Sequence, residues 1–212
     1  MLLLNPQGYL LLAGALLADE EVSTLREDWN RATPALDLGL PELTALIQPA
    51  FPGQTVVASE PTQGGLANTN IRIWLSESGQ PLLLRLFVRS PGEVHKEEAL
   101  NRHVSAHTPV PRFLYVTADN PITGHPFVIM EWIDGTRLEV AAPRLNTEQA
   151  RGLGRSIGAT LASIHALTFP RTGFFDTNLD IAQPISVGSD GLIGYLHMCL
   201  IDGRGEERLG AD

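Results

Sequence analysis

The sequence predicts an α+β fold, an antiparallel sheet carrying one helix, followed by a helical segment, and three observations predict it. Ile71, Ile73 and Leu75 alternate with Asn70, Arg72 and Trp74, the period-2 pattern of a half-buried strand. A second apolar run, Pro81 to Val88, follows after only Ser76–Gln80, and strands joined by so short a turn are antiparallel. From Thr147 to Leu167 the period changes, with Leu153, Ile157, Leu161 and Ile164 on one helical stripe and Gly154, Gly158 and Ala162 beside it.

The elements follow in order. Met1 to Ala18 is apolar but interrupted by Asn5, Pro6, Gln7 and Gly8, whereas a membrane-spanning helix wants about 20 mostly apolar residues. No Lys or Arg precedes Arg26, so a signal peptide would lack its basic start, although Leu10–Leu17 has the length of a short apolar core. A loosely attached arm is the preferred reading. Glu20–Arg31 and Leu43–Pro49 read as short helices, and Thr55–Ser59 as a first strand. Glu93–His107 is a helix stopped by Pro109-Val110-Pro111, with strands at Arg112–Thr117 and Pro126–Ile133 on either side of a turn at Asp119-Asn120-Pro121. Phe169–Asp212 is glycine-rich and mixed, with an amphipathic stretch near Leu192–Leu200. Three segments are expected: an arm with short helices over 1–53, the sheet over 54–134, and a linker with an incomplete helical portion over 135–212.

Composition limits the function. The 212 residues are 43% hydrophobic and 18% charged, which is globular. Fifteen Lys and Arg stand against 24 Asp and Glu, a formal net charge of -9, so little material exists for a phosphate-neutralising face and no nucleic-acid partner is expected. A membrane partner is not expected either. The single cysteine, Cys199, excludes an internal disulfide and any centre built on several thiolates, and fits a cytoplasmic location.

Four features could carry chemistry. The turn Gln63-Gly64-Gly65-Leu66-Ala67-Asn68 has two glycines that let backbone N–H groups approach a phosphate, or simply make a hairpin turn. Arg85 stands among Leu82–Leu84 and Leu86–Val88, where a guanidinium needs a carboxylate or phosphate unless its head reaches water at a sheet edge. Glu97 offers that carboxylate. Measured around its helix, Val94 and Leu100 lie about 60° to either side and Val104 about 20° away, so Glu97 falls within the apolar stripe. Such a pair fixes where a cation points better than it stabilises a fold. Finally, Glu131-Trp132-Ile133-Asp134-Gly135 leads a strand into a linker, where free backbone groups suit an adenine edge, or make an ordinary strand exit.

Together these features resemble the aminoglycoside phosphotransferase and choline kinase-like family. The resemblance is carried by Gly64-Gly65-Leu66-Ala67-Asn68-Thr69-Asn70, Leu83-Leu84-Arg85-Leu86, His95-Lys96-Glu97-Glu98, Val110-Pro111-Arg112, and Phe127 to Gly135. Leu161-Ala162-Ser163-Ile164-His165-Ala166-Leu167 looks like the first large helix of that family's second lobe. The resemblance spans roughly Thr55 to Phe175. It implies a protein-kinase-like N-lobe, a five-stranded antiparallel sheet plus one helix, followed by the start of a helical C-lobe. It implies transfer of the ATP γ-phosphoryl to a small-molecule hydroxyl, with ATP and, for the full-length family, magnesium. The Gly64–Asn68 turn would cover the phosphates, Arg85 would replace the usual strand lysine, Glu97 would orient it, and the backbone of Glu131 to Ile133 would hold adenine.

The sequence departs from that pattern in one respect. Phosphoryl transfer also uses a His-x-Asp-x-x-x-x-Asn loop and a following metal-binding Asp. His165 is followed by Ala166-Leu167 and His197 by Met198-Cys199, and Leu200-Ile201-Asp202-Gly203 has no such loop about twenty residues before it. No catalytic residue and no metal ligand is therefore assigned. The expectation is a truncated phosphotransferase, inactive alone. The alternatives are a nucleotide-binding, pseudokinase-like or regulatory module, and half of a split kinase whose partner chain covers the exposed helix. The small-molecule acceptor is not identified.

Overall fold

The computed structural model describes residues 34–62, 67–185 and 189–197. The expected helix Glu20–Arg31, the turn residues Gln63 to Leu66, Cys199 and Asp202 lie outside them.

Alternation along the strands builds the fold. Strand β1 (Val56–Pro61), β2 (Thr69–Leu75), β3 (Leu82–Leu86), β4 (Phe113–Thr117) and β5 (Phe127–Glu131) form one antiparallel sheet in the order β1-β2-β3-β5-β4. Thr69, Ile71, Ile73 and Leu75 of β2 are buried, as are Leu82, Leu84 and Leu86 of β3, while the residues between them are half-buried. The register sets Asn70 opposite Arg85 and Arg72 opposite Leu83, and on the next strand Arg85 opposite Val128. These residues therefore share one face of the sheet, the front face.

The rear face is apolar. Helix α1 (Leu40–Ile47) buries Leu43, Leu46 and Ile47, at the i, i+3, i+4 spacing of one stripe, against Val56, Ile71, Ile73, Leu84 and Ile129. Pro41 lies in its first turn, and the Glu42 carboxylate accepts a hydrogen bond from the Gly39 N–H at 2.7 Å, satisfying a donor the helix start would leave unpaired. The Val56 N–H donates to Thr44 Oγ1 at 3.0 Å, tying α1 to β1. Buried Thr69 accepts the Leu36 N–H at 3.0 Å. Residues 34–53 thus contribute to the sheet's core.

A smaller core lies on part of the front face. After a 3-10 turn at Pro91–Glu93, helix α2 (Val94–Ser105) buries Val94 against Phe87, Val128 and Met130, flanked by Leu83, Phe113 and Val116. Leu100 and Val104 are only half-buried, so the stripe is tight at the start of the helix and open towards its end. The turn between β4 and β5 is held by buried Asn120, which donates to Thr123 Oγ1 at 2.6 Å and the His125 carbonyl at 2.7 Å.

Past β5 the chain runs without regular structure to α3 (Leu138–Ala141), a 3-10 turn at Ala142–Arg144, and α4 (Thr147–His165). Asn146 and Gln149 cap α4 reciprocally, each side-chain oxygen 2.9 Å from the other's backbone nitrogen. No residue of α4 is buried, and Leu161 and Ile164 on its apolar stripe are 39% and 38% exposed.

The chain divides into two compact units between Ala166 and Leu167. The second holds a hairpin of β6 (Gly173–Phe175) and β7 (Ile181–Pro184), then α5 (Ser189–His197). Phe169 and Phe175 pack with ring centroids 4.5 Å apart. Asp176 Oδ1 accepts the N–H groups of Asn178 and Asp180 and bends the hairpin turn, where Leu179 has a φ of 64°. This hairpin has no counterpart in the sequence expectations, because strands of three and four residues are too short to declare a period.

Candidate functional site

The centre of the site is Arg85. Its place on β3, opposite Asn70 of β2, follows from the pleat. Its Nε donates to Asn70 Oδ1 at 3.0 Å and its Nη1 to Glu97 Oε2 at 3.2 Å. Two edges of the planar fork are thereby fixed by two different elements. Nη2 makes no hydrogen bond among the described residues.

The Arg85–Glu97 side chains remain 30% and 35% exposed. The apolar stripe places Glu97 among buried residues, and the structure corrects this: of α2 only Val94 is buried, and Glu97, Leu100 and Val104 are half-buried. Glu97 therefore reaches a cation from a half-open position. At this exposure solvent screening leaves such a pair worth about 0–1 kcal/mol of stability. Its consequence is orientation.

The remaining expected residues fall as follows. Ala67 and Asn68 are half-buried at the entrance to β2, while Gly64, Gly65 and Leu66 lie outside the described residues. Glu131 ends β5, two residues earlier than the strand was expected to run. The Glu131 carboxylate accepts from the Arg112 N–H and Nε, both at 3.1 Å, and the Glu131 N–H donates to the Arg112 carbonyl at 3.1 Å, clasping β5 to the approach to β4. Trp132 and Ile133 follow without regular structure and make no backbone hydrogen bond among the described residues, so their N–H and C=O groups are open to a ligand. The Trp132 indole N–H donates to Asp134 Oδ1 at 2.7 Å.

Two features escaped the sequence reading. Asn70 is the second partner of Arg85, and Arg72 lies between Trp74 and Trp132, its guanidinium carbon 4.6 and 4.4 Å from their ring centroids. The available signal was the identity of the alternating positions, since Asn70, Arg72 and Trp74 share the non-core face of one strand. Among the described residues there is no cluster of three metal-ligating side chains, and no helix is long and apolar enough to cross a membrane.

A strand cation held by a helix carboxylate, beside an open strand exit on the same sheet, is the arrangement of a kinase-like nucleotide lobe. The model of the phosphotransferase enzyme family named APH matches residues 59–187, and the chain belongs to that family. Among solved structures, a thermostable mutant of aminoglycoside phosphotransferase APH(4)-Ia, in ternary complex with ADP and hygromycin B, is 14% identical with a TM-score of 0.54, over 81% of this chain and 54% of that one. Another APH(4)-Ia structure is 16% identical with a TM-score of 0.46, over 65% and 43%. The PknI kinase domain of Mycobacterium tuberculosis is 16% identical with a TM-score of 0.35, over 63% and 58%. The first of these carries the likeness of fold, an N-lobe of the protein-kinase kind. The chain spans between 29% and 58% of the length of seven solved structures it matches. No curated protein sequence matches it significantly.

Proposed function

We propose that these 212 residues form the nucleotide-holding part of an ATP-dependent small-molecule phosphotransferase and bind ATP without turning it over alone. The observation that carries this reading is the state of Arg85: Nε and Nη1 are tied down by Asn70 and Glu97, and Nη2 is left for an anion. A planar fork held at two corners meets a phosphate oxygen with little further loss of freedom. In this reading Arg85 holds the α/β-phosphates, Asn70 and Glu97 orient it, the Gly64–Asn68 turn covers the phosphates, and the backbone of Trp132 and Ile133 holds the base. The base-reading role extends to Glu131 through its carbonyl only, since its N–H and its carboxylate are both engaged by Arg112. The ADP bound in the APH(4)-Ia complex supports a nucleotide here, and its hygromycin B supports a small-molecule acceptor as a class.

Transfer itself is assigned to residues the 212 do not contain. No His-x-Asp string occurs in the sequence. The half-exposed stripe of α4 favours further polypeptide over that helix, from the same or a separate chain, and this second reading keeps the nucleotide site unchanged. The test is calorimetric titration with ATP of the chain and of Arg85→Met. The expected result is binding by the first, weakened tenfold or more in the second, because a charge-assisted hydrogen bond contributes about 1.5–3 kcal/mol. Equal binding by both, or none by either, overturns it.

A further inference from the structure

Arg72 is held in an unusual way. It stands on the front face of β2, opposite Glu60 of β1 and Leu83 of β3. Its guanidinium lies between the indoles of Trp74, two residues along the same strand, and Trp132, the first residue of the linker. Two carboxylates neutralise it loosely, Asp134 at 3.6 Å and Glu60 at 4.0 Å. Its Nε is out of contact with solvent and has no hydrogen-bond partner among the described residues.

Stability alone accounts poorly for this arrangement. A buried, unpaired N–H opposes folding, and the carboxylates are too distant to donate to at good geometry. What the arrangement does secure is the linker. Trp132 is joined to the sheet through Arg72 on its face and to Asp134 through its indole N–H. Asp134 closes the set by approaching Arg72 as well. A segment without regular structure, leaving the sheet at Glu131, is thereby held at Trp132 and Asp134, on either side of Ile133, to a strand two places away in the sheet order.

We propose that Arg72 is a positioning residue for the nucleobase: stacked between Trp74 and Trp132, it presets the backbone of Trp132 and Ile133 in the place where that backbone meets the base. This rests on the reading of the front face as a nucleotide site. The physical basis is preorganisation. Ordering a free linker at the moment of binding costs conformational entropy, and a linker already pinned avoids that cost. Arg72 touches neither phosphate nor base in this account; it acts through Trp132.

The experiment compares ATP with inorganic tripolyphosphate, which has the phosphates and no base, by calorimetry on the 212-residue chain. Arg72→Met removes the cation from between the rings. It is expected to weaken ATP about tenfold, in the range of a desolvated cation–π contact, and to leave tripolyphosphate unchanged. Trp74→Leu removes one ring of the stack and is expected to give the same selective loss. Arg72→Lys keeps a cation without the planar fork and should recover part of the difference. In a Trp29→Phe background, the near-ultraviolet dichroism of the two remaining tryptophans should collapse in Arg72→Met and be retained in Arg85→Met. If Arg72→Met binds ATP as the parent does, the positioning role is wrong and the nucleotide site stands. If ATP and tripolyphosphate weaken together, Arg72 is merely structural and the proposal is again overturned. If the parent binds neither, the nucleotide reading falls, and this proposal with it.

Discussion

The two faces of the five-stranded sheet are built from the same strands and differ in almost every other respect. On the rear face Ile71, Ile73, Leu84, Leu86 and Ile129 close against Leu43, Leu46 and Ile47 of α1, in an apolar cluster that also takes in Phe127. The front face, a few ångströms away through the pleat, carries Asn70, Arg72, Trp74 and Arg85. Only its α2 side has a small apolar core. The difference separates two tasks within single strands. Odd-numbered positions of β2 bury hydrocarbon and hold the fold, while even-numbered positions hold polar groups at fixed places and leave some of their hydrogen-bonding capacity unused.

If that division is real, substitutions on neighbouring residues should separate stability from binding. The largest effect is expected at the rear face. Leu84 is fully buried at the centre of the sheet, and Leu84→Ala should lower unfolding free energy by about 2–5 kcal/mol in a urea titration. Its neighbour in sequence should do the reverse: Arg85→Met leaves the urea midpoint nearly unchanged and weakens ATP. Next in size is Glu97→Gln, which removes the charge and keeps a hydrogen-bonding side chain. ATP affinity should fall about threefold to tenfold, with the thermal midpoint scarcely moved. The smallest effect is expected at the clasp between Arg112 and Glu131. Arg112 is 72% exposed there, and Arg112→Ala should cost less than about 1 kcal/mol. An Arg112→Ala change larger than that of Leu84→Ala would erase the distinction between the faces.

How much of this was legible beforehand depends on the range of the interaction. The five strands, their antiparallel pairing at the hairpin, α2 and α4 were readable because each announces itself within a dozen residues by period and turn chemistry. The Arg85–Glu97 contact was readable too, since a cation on a strand and a carboxylate on the next helix seek each other across a short connection. The depth of that contact was not. Helical angle places Glu97 on the right side of α2, yet says nothing of how deeply that side is covered, and only Val94 of the helix is buried. The stack of Arg72 between Trp74 and Trp132 was unreadable for a related reason. Trp132 is sixty residues from Arg72 in sequence and meets it only because β5 inserts between β3 and β4, a crossover no local signal specifies. The β6–β7 hairpin was missed through brevity, although Gly173 is required there: a Cβ would collide with the Gln183 carbonyl and Ile181.

The central claim is that the front face of this sheet, and no other surface, holds the nucleotide. Hydrogen exchange of the chain with and without saturating ATP tests it most directly, because it reports protection segment by segment. The account predicts slower exchange at residues 82–86, 94–98 and 131–134, with α1 on the rear face unchanged. Protection confined to α1 or to residues 167–185, or no change anywhere at saturating ATP, would contradict it.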